Sequence, residues 1–121
     1  MNKLILLGGG GHCKSCIDVI EQEGNYTIAG ILDKKELTGQ KILAYEFIGS
    51  DADINKLVDK GYFFLITVGH IKTSSIRKKL SSLLSESNAQ MATIISPRAY
   101  VSKYADIGKG TIIMHDALVN A

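Results

Sequence analysis

Apolar and polar positions change their period several times along this chain, and each change marks an element. Residues 3–8, KLILLG, form a short apolar run closed by glycine, the pattern of a strand buried on both faces. From residue 12 to 24, Cys16, Ile17, Val19 and Ile20 recur at helical spacing, and Gly24 stands where a helix would stop. YTIAGILD, residues 26–33, predicts a second strand. Strand, glycine turn, helix and strand in this order make a βαβ unit with a right-handed crossover. Residues 34–49 lack a clean period and read as loop, although ILAYEFIG offers a short extended piece. Ile54, Leu57 and Val58, followed by Gly61, predict a short helix over 51–59, and YFFLITVG, residues 62–69, a third buried strand. A longer helix is expected over 73–86, with Ile76, Leu80, Leu83 and Leu84 inward and Arg77, Lys78 and Lys79 outward. MATIIS, residues 91–96, predicts a fourth strand that Pro97 ends.

Alternation of strands and helices through residue 96 implies an α/β fold: a small Rossmann-like parallel sheet with helices on both faces. The remainder obeys another rule. Written in sixes from Ala99 it reads AYVSKY, ADIGKG, TIIMHD, ALVNA. Val101, Ile107, Ile113 and Val119 hold the third place, and Ala99, Ala105, Thr111 and Ala117 the first. Such a register is that of the hexapeptide repeat of a left-handed parallel β-helix, whereas an ordinary strand pair would show period two. The expected division is therefore an α/β domain over 1–97 and the first coil of a β-helix over 98–121. A solenoid needs about three repeating units to cover its core, so the sequence reads as stopping in mid-architecture at Ala121, either a fragment or a tail that leans on another surface.

Length and composition change little in this picture. The 121 residues suit one domain with a small appendage, and 45% hydrophobic with 21% charged residues fits a folded protein. A net charge of +2 is too slight to imply nucleic acid or a membrane surface as partner. The apolar start, residues 4–7, is too short for a signal-peptide core, and no run approaches the roughly 20 residues that span a bilayer. The expected location is cytoplasmic.

The candidate chemistry lies in LILLGGGGHCKSC, residues 4–16. A glycine cluster between a first strand and a first helix is where this fold class holds phosphate, with main-chain N–H groups and the helix N-terminus facing the anion. After Gly8 and Gly10, a G-x-G-x-x-G fingerprint requires glycine at position 13, where Cys13 stands. The dinucleotide motif is thus incomplete, and a phosphate site of another kind is favoured over it, with a purely structural turn as the alternative. Asp33 ends the second strand where such folds place an acid toward ribose or base, and Lys34 follows it. The pair Cys13 and Cys16 lacks a thioredoxin-like setting, and two cysteines cannot complete a four-ligand zinc site. Among the three histidines, His12 sits at the helix start and His70 on the carboxyl edge of the sheet. His115, in the tail after inward Ile113, is expected to face solvent by side-chain alternation. No Ser–His–Asp set or carboxylate pair can be assembled from the sequence.

These residues together resemble the bacterial sugar O- and N-acyltransferases related to sialic acid O-acetyltransferases and UDP-amino-sugar N-acetyltransferases of surface-glycan synthesis. The likeness rests on LILLGGGGHCKS, GILD with Lys34, ITVGH followed by SIRKKL, the TIISPRAYVS joint and the IGKGTIIMHDALVNA hexads. It implies an N-terminal domain for a nucleotide-sugar or sugar acceptor and a homotrimeric β-helix that holds acetyl-CoA as co-substrate, with no metal. It further implies that Gly8, Gly10, Gly11 and His12 line the phosphate and sugar turn, that Asp33 and Lys34 face uracil, and that Gly69 and His70 border the acceptor. Cys13 replaces a small residue of the family. The family's general-base histidine falls beyond Ala121 and His115 is about one coil too early, so the chain alone is expected not to catalyse. Two rivals stand beside this reading: a non-catalytic nucleotide-binding module, and a small NAD oxidoreductase, which Cys13 and the hexads disfavour.

Overall fold

The computed structural model describes residues 1–69 and 74–121. Its centre is β1 (Asn2–Leu7), flanked by β2 (Tyr26–Leu32) and β5 (Phe63–Ile66), both parallel to it. The full sheet runs β3-β4-β2-β1-β5-β6, with β3 (Lys41–Ile42), β4 (Tyr45–Gly49) and β6 (Gln90–Met91) completing it. All its pairings are parallel except β3 with β4. Alternation along β1 explains the layers. Leu4 and Leu6 point to the face covered by α1 (Gly11–Glu23), where Cys13, Cys16, Ile17, Val19 and Ile20 are buried. Ile5 and Leu7 point to the other face, against Ile54 and Leu57 of α2 (Ile54–Asp59) and Leu80 and Leu84 of α3 (Ser74–Glu86). A strand sealed on both faces has no polar side to show, which is why residues 4–7 are uniformly aliphatic.

Helix α1 ends as its sequence predicts: Gly24 takes the left-handed conformation at φ 76°, and its N–H closes on the Ile20 carbonyl. The stretch 34–49, read above as loop, is instead a short 3-10 turn (Lys35–Leu37) followed by the β3–β4 hairpin. Its apolar signal is only two side chains, Ile42 and Phe47, both buried in the α1-side core. The expected strand over 91–96 is also two pieces. Ala92 N–H still bonds the Phe64 carbonyl of the sheet, but Ile94 N–H bonds Thr111 and Ser96 N–H bonds Ile113. Between them the chain leaves the sheet, and β7 (Ile94–Ile95) pairs with the tail. In α3 the inner stripe is Leu80 and Leu84; Ile76 is 48% exposed.

The tail pairs with itself in a fixed step. β7 lies parallel to β9 (Ile112–Ile113), and β8 (Tyr100–Val101) parallel to β10 (Leu118–Val119), each with partners eighteen residues apart. Ile113 is buried, and Val101, Ile107 and Val119 are half-buried between more exposed neighbours. Ile94 sits in the α1-side core, with Ile112 and Met114 packed against it. No helix of the described residues is long and apolar enough to cross a membrane.

Ile17, fully buried between α1 and the sheet, tests the packing. Ile17→Ala should lower stability by about 2–5 kcal/mol, read as a shifted urea midpoint with unchanged slope.

Candidate functional site

At the carboxyl edge of β1 the chain enters four glycines, and the structure separates them by purpose. Gly8 has φ +111°, a conformation in which a side chain is strained, and a Cβ there would collide with Val68. A Cβ on Gly9 would run into the Phe47 ring. Gly10 and Gly11 differ: both are exposed, neither has positive φ, and a Cβ on either would meet no atom of the described residues within 4 Å. Gly11 opens α1, where alanine is the better helix former by about 1 kcal/mol. Among the described residues nothing packs where a side chain at this position would stand. The main chain there lies at a helix amino end, where N–H groups and the helix dipole favour an anion.

Asp33 holds the turn in shape. Its Oδ2 accepts from Gly9 N–H at 2.8 Å and its Oδ1 from Lys34 N–H at 2.7 Å, so one carboxylate ties the end of β2 to the glycine loop. From the other side Thr67, fully buried, donates its hydroxyl to the Gly8 carbonyl at 2.6 Å. Gly69 lies beside His12, its notional Cβ 3.9 Å from the His12 Cβ. Arg77 of α3 donates to the Val68 carbonyl at 3.2 Å. Gly8, Asp33 and Lys34 line a cleft of about 500 Å³ whose other walls include Ser50, Asp51, Ile76 and Lys79. Lys79 and Asp51 approach to 3.8 Å, linking α3 to the segment before α2.

Of the residues singled out in the sequence, Gly8, Gly10, Gly11, His12, Asp33, Lys34 and Gly69 therefore gather at one sheet edge. His70 lies outside the described residues. Gly9 and Thr67, which shape the turn, carried no sequence signal beyond the glycine run. Cys13 and Cys16 are both fully buried. Burial pushes the Cys13 thiol up, against a lowering hydrogen bond from Thr67, and the nearby Asp33 charge raises it further. Burial pushes Cys16 to about 12, with Cys13 adding and Arg77 opposing. Both sulfurs are buried and held as thiols, the opposite of the exposed, thiolate-favouring setting that redox cysteines need. Among the described residues no three histidine, cysteine or acidic side chains gather as a metal site.

His115 departs from expectation. Its side chain is 21% exposed, and both ring nitrogens are engaged, Nδ1 with Ser96 Oγ at 2.5 Å and Nε2 with Asp18 Oδ2 at 3.0 Å. Alternation in twos from inward Ile113 puts position 115 on the inner side, so the rule does not support a solvent-facing ring; β9 itself ends at Ile113, and Asp116 turns the chain with φ 61°.

A mostly parallel α/β layer with a glycine turn between its first strand and first helix defines the class of Rossmann-like folds. The profile of the PglD N-terminal domain matches residues 3–84, and the chain belongs to that family. It is 33% identical over 116 residues to the UDP-N-acetylbacillosamine N-acetyltransferase of Bacillus subtilis (strain 168), which takes in 94% of this chain and 52% of the relative. Among solved structures it superposes at a TM-score of 0.87 and 26% identity on perosamine N-acetyltransferase from Caulobacter crescentus in complex with CoA and GDP-perosamine, over 100% of this chain and 55% of that one. The acetyltransferase domain of PglB from Neisseria gonorrhoeae FA1090 with acetyl coenzyme A gives 0.84 and 26%, over 97% and 55%. The chain thus spans about half the length of the relatives it matches.

The division among the glycines is directly testable. Gly9→Ala should cost about 1–3 kcal/mol through the Phe47 clash, whereas Gly11→Ala should leave the protein as stable as before or up to about 1 kcal/mol more so. Thermal unfolding of the two variants measures the contrast.

Proposed function

We propose that this chain is the acceptor-binding part of an acetyl-CoA-dependent N-acetyltransferase that acts on a nucleotide-linked amino sugar in glycan synthesis. Family membership and the N-acetyltransferase relatives support the reaction class; sialic acid, the other acceptor the sequence suggested, has no support among them. The observation that carries the site is Gly11, a helix-opening glycine around which the described residues leave open space and give no packing reason to lack a side chain. A diphosphate seated there would take the main-chain N–H groups of Gly10 and Gly11, with Gly8 giving room and His12 and Gly69 beside it. Asp33 spends one lone pair of each oxygen on the main chain and retains another toward a ribose or base, with Lys34 beside it.

On this reading residues 1–97 hold the acceptor and 98–121 begin a left-handed parallel β-helix. The eighteen-residue step between paired tail strands is what three hexads per coil would give. A homotrimer with acetyl-CoA between neighbouring coils, and a cytoplasmic location, complete the proposal. The co-substrate supplies the acetyl thioester. The acceptor amine attacks it with the help of a general base, a role for which His115 has no nitrogen to spare.

Isothermal titration of UDP, a UDP-amino sugar, GDP and NAD against the chain tests the reading. A UDP or GDP species should bind more tightly than NAD, and Gly11→Ala should weaken that binding at least tenfold while the melting temperature holds. Tighter binding of NAD, or full binding by the Gly11→Ala protein, would overturn it.

A further inference from the structure

The side chains that join the tail to α1 form a hydrogen-bonded chain with a fixed direction, and the nucleotide reading makes no use of it. Ser96 is 1% exposed. Its Oγ accepts from Arg98 N–H at 3.0 Å, which leaves its own proton for His115 Nδ1 at 2.5 Å. On the far side of the ring, Asp18 Oδ2 is an acceptor when ionised, so Nε2 carries the hydrogen across the 3.0 Å gap. The order is then Arg98 N–H to Ser96, Ser96 O–H to His115, and His115 Nε2–H to Asp18. Arg98 and Asp116 close the outer flank as an ion pair at 3.2 Å.

A second tie runs parallel to the first. Ile95 N–H, on the side of β7 that Thr111 and Ile113 do not use, donates to Glu23 Oε2 at 2.7 Å. Asp18 and Glu23 both belong to α1, and Ile95, Ser96 and His115 all belong to the segment that leaves the sheet. The contacts thus bind that segment to the helix whose amino end is Gly11.

The same three side chains resemble a nucleophilic Ser–His–Asp set, but the geometry rejects that role. Ser96 is closed to solvent, so its hydroxyl has no path to a substrate carbonyl.

We infer that His115 is a positioning residue: through Ser96 on one side and Asp18 on the other it locks the tail against α1 and so fixes the tail relative to the glycine turn. The consequence rests on the transferase reading, since there the lock presents an acceptor held at the amino end of α1 to the acetyl-transfer module in one orientation. An exposed carboxylate such as Asp18 contributes little by charge alone. What the ring adds is span, because one rigid group engages buried Ser96 at one edge and Asp18 at the other.

Residue-resolved amide exchange of the whole chain tests this, in the wild type and in His115→Ala, Asp18→Ala and His115→Gln. The amides of Ile94, Ser96 and Tyr100, which hold the tail strands, should exchange at least tenfold faster in His115→Ala. Those of Leu6 and Ile17 should change less than twofold. His115→Gln, which keeps an N–H able to reach Asp18, should recover most of the protection. The wild type should show a slowly exchanging imidazole Nε2–H proton resonance that Asp18→Ala abolishes. Tail amides unchanged in His115→Ala, an equal rise throughout β1 and α1, or a ring N–H signal indifferent to Asp18→Ala would each overturn the inference. UDP titration run on the same samples separates the two proposals. A wild type that binds no nucleotide overturns the transferase reading, while the exchange pattern still decides the lock.

Discussion

The close approach of the Phe47 ring to the main chain at Gly9 is the constraint on which the rest of this site depends. It needs a residue without Cβ at position 9, and it needs β4 beside β2 to bring Phe47 there. The Asp33 carboxylate, gripping Gly9 N–H from the end of β2, prevents the turn from lifting away. Gly8 is fixed from the opposite side by Val68 and by the Thr67 hydroxyl. With its first half wedged between two strands, the glycine run turns outward at Gly10 and Gly11. The helix mouth is thus the part of the turn that packing among the described residues does not fill.

What the sequence made legible follows from burial. β1, β2 and β5 are central strands with both faces covered, so their apolar runs are continuous and stand out. Helix α1 declares itself by Cys16, Ile17, Val19 and Ile20 and by Gly24 at its end. β3 and β4 do not, because an edge hairpin contributes only Ile42 and Phe47 to the core, and its turn at Leu43 uses a positive φ without glycine or asparagine to announce it. The division within 90–95 was invisible for the opposite reason. Both halves are apolar, and which neighbour pairs with Ile94 is decided by residues eighteen positions later.

The candidate site was legible as a region and not as a mechanism. Four consecutive glycines between strand and helix signal a turn that admits a ligand, yet the signal is the same for a glycine that avoids Phe47 and one that faces open space. Asp33 was placed correctly at the strand end, but its grip on Gly9 depends on how two loops meet. His115 shows the limit of a periodic rule. Alternation assigns a direction only while the strand continues, and after Ile113 it does not. The cysteines illustrate the converse: a motif with a chemical reputation, whose helical spacing alone placed Cys16 in the core.

Helix α1 has two roles, and they constrain each other. One flank covers Leu4 and Leu6 of the sheet, while Ile94, Ile112 and Met114 of the departing tail join the same hydrophobic core. The helix is therefore a shared wall between the α/β layer and the paired tail strands. A rigid wall of thirteen residues carries a displacement at Asp18 or Glu23 along its axis to Gly11, about 1.5 Å per residue away, without damping it in a loop. The carboxylates near the carboxyl half of α1 then matter to the amino end, because the helix whose N–H groups the proposed acceptor would take is the one the tail holds.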